Sequence, residues 1–246
     1  MQPDTAATVD RAERDRGGDG RADRILDAAG ELLTTLGYRR VTIEDVARRA
    51  DVGKGTVYLH WKTKDALFLS VLLRAKGRAI GAQGRRMTAD PAEVLLSRMA
   101  RAMYLDFTDD PVVRVGYFGD AETLGRLSRT ALGGFEELRA EASRVSVEHL
   151  RLLREHGLVT TDLDLETQLY AFHATMTGFF LLPTFGAPFV PKQAEAQADT
   201  LEHTVRTAFE TTPDPGGLAA AASEAAALYQ RLEERYLAEL HRHFRA

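Results

Sequence analysis

The sequence predicts an all-α chain in two unequal parts, an N-terminal three-helix head built on a helix-turn-helix and a larger helical body. Three observations predict it. Residues 41–67, VTIEDVARRADVGKGTVYLHWKTKDAL, read as a short helix, a tight turn and a second short helix rich in hydrogen-bond donors. The rest of the chain carries apolar residues at helical spacing, with no alternation worth reading as a strand. Charge divides with the parts: residues 21–86 hold 14 Lys and Arg against 7 Asp and Glu, whereas residues 87–246 hold 15 against 24.

Residues 1–20 lack hydrophobic periodicity and end in Gly17-Gly18-Asp19-Gly20, so they are expected as a disordered tail. Arg11, Arg14 and Arg16 could brush a nucleic acid, or the tail could be a passive leader. Arg21–Leu36 follows as a helix with Ile25, Ala28, Ala29, Leu32, Leu33 and Leu36 on one stripe, ended by Gly37.

Thr42 is an N-cap with Asp45 three residues on, a capping box with Asp in place of Glu. Ile43, Val46, Ala47 and Ala50 give this helix an apolar face. Asp51-Val52-Gly53 ends it, with Gly53 expected in the left-handed conformation and Val52 plugging the angle. The second helix, Lys54–His60, is too short to stand alone. Val57 is its inward anchor and Trp61 closes the exit. Thr42, Lys54, Gly55, Thr56, Tyr58, His60 and Lys64 are left as candidates to face DNA. Lys and hydroxyl donors suit phosphate and guanine, and a glycine admits a close backbone. Thr63 caps the next helix, whose amino end beside Lys64 can take a phosphate.

That helix, Asp65–Ala82, leads from head to body, and Gly77, Gly81 and Gly84 are expected to weaken its far end. Helices are read at Pro91–Phe107, Phe135–His156, Leu165–Leu182, Pro191–Phe209 and Leu218–Phe244, with a less regular stretch over Val112–Leu127. Leu165–Leu182 is apolar nearly all round and should be buried on more than one face. Met99, Met103, Phe107, Tyr117, Phe118, Phe172, Met176 and Phe179 are candidates to line a pocket, with His149 and His173 as polar contacts inside it. The alternative for each apolar one is plain core, and for each histidine a structural hydrogen bond.

Residues Arg24–Leu72 resemble the DNA-binding domain of the TetR family of transcriptional regulators. The likeness rests on Ile25-Leu26-Asp27-Ala28-Ala29, Gly37-Tyr38, Val41-Thr42, Asp45-Val46-Ala47, the run Val52–Tyr58, His60-Trp61 and Lys62–Leu67. It covers about a fifth of the chain without a gap. Trp61 stands where Phe is common and Leu59 where a second aromatic is common. The resemblance implies a homodimer on double-stranded operator DNA, expected as a repressor, released by a small hydrophobic or amphipathic effector. It implies that Leu165–Leu182 and Pro191–Phe209 pair across the dimer. The domains expected are a tail at 1–20, the DNA-binding domain at 21–68, an effector-binding and dimerisation domain at 69–212, and a linker with a C-terminal helix at 213–246. The alternative is a helix-turn-helix adaptor whose body binds a protein.

An enzyme is disfavoured, because no phosphate loop, nucleophile elbow or His-Glu-x-x-His occurs. There is no cysteine, no metal site is expected (His241 and His243 point apart on a helix), and no cofactor is implied. No apolar run reaches the ~20 residues of a membrane span. The first residues are not those of a signal peptide, so a soluble cytoplasmic protein is expected.

Overall fold

The computed structural model describes residues 5–118 and 134–244. Its helices are α1 (Thr5–Leu36), α2 (Ile43–Arg49), α3 (Lys54–His60), α4 (Lys64–Ala89), α5 (Leu96–Asp109), α6 (Pro111–Phe118), α7 (Gly134–Glu155), α8 (Leu165–Leu181), α9 (Ala194–Phe209) and α10 (Pro215–Phe244). Single 3-10 turns sit at Pro91–Val94 and Leu182–Phe185. The only β pairing among the described residues is one bridge, Val159 with Glu210.

The head closes over Ile25, Leu26, Ala29, Val46, Val57, Trp61, Leu67 and Phe68, all fully buried. Local chemistry explains the short helices. Thr42 accepts from the Asp45 amide at 3.2 Å while the Asp45 carboxylate takes the Thr42 amide at 3.0 Å. Thr63 accepts from the Ala66 amide and starts α4 at Lys64. Trp61 is wholly buried, and its Nε1 donates to Ser70 Oγ at 2.9 Å, so its one polar atom is satisfied. Arg74 clamps α4 to α1 through Asp23 and Asp27.

Three expectations about the head change. First, α1 begins at Thr5, so residues 5–20 are helical rather than a disordered tail. The segment lacks an apolar stripe, which is a packing criterion, and its Ala and Arg residues favour a helix while Gly17, Gly18 and Gly20 oppose one. Second, the left-handed residue in the turn is Asp51 (φ 53), while Gly53 is extended (φ −68) and precedes α3. A short polar side chain tolerates that conformation. Third, Lys64 is half-buried, its Nζ 4.4 Å from the Tyr38 ring centre.

In the body, α4 and α10 pack side by side along much of their length. The glycines expected to weaken α4 are what allows this. A Cβ on Gly77 would lie 3.3 Å from Tyr236 Cβ, and one on Gly84 would lie 3.2 Å from Tyr229 Cβ and 3.4 Å from the Ala226 carbonyl. The residues are small because the partner helix runs close, and α4 continues unbroken to Ala89. α5 lies along α9, and α7 bridges α8 and α10. The expected Pro91–Phe107 helix is divided: a 3-10 turn over Pro91–Val94 is followed by an extended Leu95 before α5 begins. Of the stretch expected over 112–127, residues 119–127 lie outside the described residues. No described helix is long and apolar enough to cross a membrane.

Candidate DNA-reading face and effector cavity

The first site is the outer face of α3. Val57, wholly buried, fixes the helix by its inner side. That turns Lys54, Gly55, Tyr58 and Leu59 outward, all exposed. A Cβ on Gly55 would meet nothing within 4 Å, so the face is open there to a close backbone. Lys54 is ion-paired with Glu44 and lies 5.7 Å from the Tyr58 ring centre. The Glu44 hydrogen bond raises the lysine's pKa and keeps it charged. Thr42 is exposed but engaged in its cap, and Thr56 is half-buried. His60 is half-buried against Trp61, ring centres 5.4 Å apart, and burial lowers its pKa. Sequence reasoning thus placed Lys54, Gly55 and Tyr58 on the open face and assigned too much exposure to Thr56, His60 and Lys64.

The second site is a cavity of about 750 Å³ in the body. It is bounded by α4, α5, α6, α7, α8 and α10. Of the expected lining residues, Met99, Met103, Phe107, Tyr117, His149, Phe172, His173 and Met176 all border it. The side chain of Phe118 lies outside the described residues. Phe179 does not border the cavity; Phe180 does. One residue is about 100° of helix rotation. The stripe Leu169, Phe172, His173, Met176, Thr177, Phe180 faces in, and Phe179 is turned onto the neighbouring core. Phe180 stacks on Tyr104 at 5.1 Å and meets Phe107 at 4.8 Å.

His149 is wholly buried, with Nε2 2.8 Å from the Val94 carbonyl and Nδ1 3.1 Å from the Tyr229 hydroxyl. Burial takes its pKa down to about 4, so the ring is neutral. Nε2–H must donate to the carbonyl, which leaves Nδ1 to accept from Tyr229. Both nitrogens are committed, and His149 acts as a strut tying α7 to α10 rather than as an open polar contact. His173 also borders the cavity, its ring 5.6 Å edge-on from that of Phe172, and burial lowers its pKa.

Sequence reasoning missed two contributions. Lys76 of α4 borders the cavity, its stem against Gly116 and its Nζ 4.4 Å from the Tyr117 ring centre. Tyr229, Leu232 and Tyr236 of α10 form the opposite wall. Their spacing of three and four residues is a helical stripe, the one signal that could have found them. Two neighbouring groups link cavity to head. α4 puts Leu67, Phe68, Val71 and Leu72 in the head core and Lys76, Ala79, Ile80 and Gln83 on the cavity. α6 packs Val112 and Val115 on the head core and turns Gly116 and Tyr117 to the cavity.

Comparison with known proteins bears on both sites. Residues 25–71 match the family of bacterial regulatory proteins described as the tetR family. The transcriptional repressor KstR of Rhodococcus jostii is 33% identical over 114 residues, 44% of this chain and 53% of that protein, so the chain spans about half the length of this relative. Among solved structures, SmeT of Stenotrophomonas maltophilia in complex with triclosan superposes with a TM-score of 0.57 at 19% identity, covering 79% of this chain and 95% of that one. FadR of Bacillus subtilis in complex with stearoyl-CoA gives 0.55 at 16% identity, covering 74% and 96%. At such identities the structures establish a shared all-α fold.

Proposed function

We propose, from the match of residues 25–71 to the tetR family of bacterial regulatory proteins, that the chain is a cytoplasmic transcriptional repressor rather than an enzyme. It binds double-stranded operator DNA as a homodimer and is released by a small hydrophobic or amphipathic effector. The observation that carries the reading is the coexistence of an open α3 face with a cavity of about 750 Å³ whose walls include the helix bearing the head. That size lies within the range of small-molecule sites, ~300–1,000 Å³. It favours a small effector over the adaptor alternative, for which a closed body is expected. The relatives point the same way, since SmeT is seen with triclosan and FadR with stearoyl-CoA.

In this reading residues 21–68 read DNA through Lys54, Gly55 and Tyr58 in the major groove. Lys64 at the start of α4, with Thr42, Thr56 and His60 behind, supports the backbone contacts. The domain 69–212 holds effector and partner subunit. The segment 213–246, expected as a linker with a C-terminal helix, supplies α10 to one wall of the cavity. Homodimerisation is supported by α8, which leaves Tyr170 (75% exposed) and Leu181 (38%) on a face with the small residues Ala174 and Gly178. A monomer would leave that apolar face in water, and twofold symmetry doubles the bases read.

Release is a population shift: the effector favours a body conformation in which α4 and α6 hold the two heads at a spacing that does not match successive major grooves. Such couplings amount to about 1–3 kcal/mol. Selection of duplexes from a random pool by the full-length protein, followed by gel shift with hydrophobic ligands, tests the reading. A twofold-symmetric duplex that a ligand releases is expected. Failure to enrich any duplex would contradict it.

A further inference from the structure

Leu59 is 83% exposed, more than any other large apolar side chain among the described residues. A single leucine in water is ordinary on a protein surface. Its place on α3 gives it a consequence. Val57, wholly buried, anchors the helix from within. At about 100° per residue, Gly55 and Leu59 each lie about 160° round from that anchor. They form the outermost line of α3, one turn apart. Lys54 and Tyr58 share one flank of that line, and Thr56 and His60 share the other. A leucine side chain leans back along its helix toward the residue four before it, which here is Gly55. A Cβ on Gly55 would meet nothing within 4 Å, so the space there is open. What this line can touch in a major groove is limited by its chemistry. Leucine has no donor or acceptor, so against a phosphate it would strip water and return no bond. The base edges present nitrogen and oxygen atoms and one apolar group, the C5-methyl of thymine.

We infer that Leu59 is a specificity-determining residue: it packs on the C5-methyl of a thymine in each half-site, and the bare backbone at Gly55 lets α3 sink far enough to reach it. This rests on the reading of α3 as the DNA-contacting face and adds which base its outermost side chain selects. Leu59 takes no part in the head core, so the fold does not depend on it.

The test replaces the thymines of the duplex selected from a random pool by deoxyuridine, one symmetry-related pair at a time. Each replacement removes a methyl and leaves base pairing intact. Affinities are measured by fluorescence anisotropy for the full-length wild type and for Leu59→Ala, whose thermal transition should match the wild type. At one pair of positions the replacement is expected to weaken wild-type binding by about fourfold per half-site, the worth of one buried methyl. Leu59→Ala should bind the thymine duplex more weakly than the wild type and be indifferent to that replacement, while the other positions should affect both proteins equally. A wild type insensitive to every replacement, or a sensitivity that survives in Leu59→Ala, would overturn the inference. So would a selected half-site with no thymine at a fixed position. The wild-type scan decides the matter even if the variant fails to fold. A duplex that is selected, released by a hydrophobic ligand and insensitive to deoxyuridine would overturn this inference alone. Failure to select any duplex would overturn the proposed function and this inference with it.

Discussion

The head and the body solve opposite problems with the same secondary structure. The head is a closed core: its short helices are fixed by caps, ion pairs and one buried tryptophan, and every large buried side chain packs on another. The body is built from longer helices and keeps a cavity among them. A protein interior packs to the density of an organic crystal, so the contrast is instructive. On the proposed function, rigidity is concentrated where geometry would match DNA, and unfilled space where a ligand would shift an equilibrium.

The strongest way to break this contrast is in the head. Trp61→Ala removes a wholly buried ring and leaves Ser70 without its partner. The expected cost is about 3–5 kcal/mol, read as a loss of the cooperative thermal transition or a large fall in Tm. A loss under 1 kcal/mol would mean that the head is not the tightly packed unit described.

The next effect lies at the seam between α4 and α10. Gly84→Val would drive a side chain against the Tyr229 Cβ and the Ala226 carbonyl. Overpacking of this kind costs about 1–3 kcal/mol, and it should open α10 to protease before the head is cut. Unchanged proteolysis would argue that α10 is an appendage.

What was legible in the sequence follows the same division. The head is specified by short-range chemistry, so Thr42 with Asp45, Thr63, Val57 and Trp61 could be read directly. Its misreadings are local conformational choices that several residues permit, as with Asp51 in place of Gly53. The start of α1 was missed because residues 5–20 have no apolar periodicity and include three glycines. In the body, periodicity identified the helices and most of the cavity wall on α5 and α8. It could not show that Tyr229, Leu232 and Tyr236 would come round to face them, nor that Lys76 would point inward, because both depend on contacts far apart in the chain. Phe179 and Phe180 differ only by helix phase, and a helix apolar on several faces leaves that phase undetermined.

A smaller effect sharpens the account of the cavity. Lys76 is held at a pKa of about 8, below the 10.5 of a free lysine, mainly by burial. The folded state therefore carries a penalty for its charge at neutral pH, which fades as pH rises from about 8 towards 10.5. Lys76→Met should stabilise the ligand-free protein by about 1–2 kcal/mol at pH 7, with the gain shrinking across that window. Thermal unfolding at pH 7 and pH 10 checks it; no gain at pH 7 would place the amine in water.

The smallest effect concerns DNA alone. Lys54→Ala should flatten the dependence of log affinity on log salt by about one unit. Glu44→Gln, which frees Lys54 from its acidic neighbour, should raise affinity severalfold. Binding of the selected duplex across a salt series measures both, and no change in either would remove Lys54 from the DNA-reading face.

The central claim is that filling the cavity and holding the operator are linked. The most direct measurement is the Kd for the selected duplex, by fluorescence anisotropy, with and without a saturating cavity ligand, in the wild type and in Met176→Trp. The account predicts a 5–150-fold weakening in the wild type, the range set by couplings of about 1–3 kcal/mol. The duplex should weaken ligand binding by the same factor, and the effect should be largely lost when the added indole fills the cavity. An unchanged duplex Kd in wild-type protein whose cavity is demonstrably occupied would contradict it.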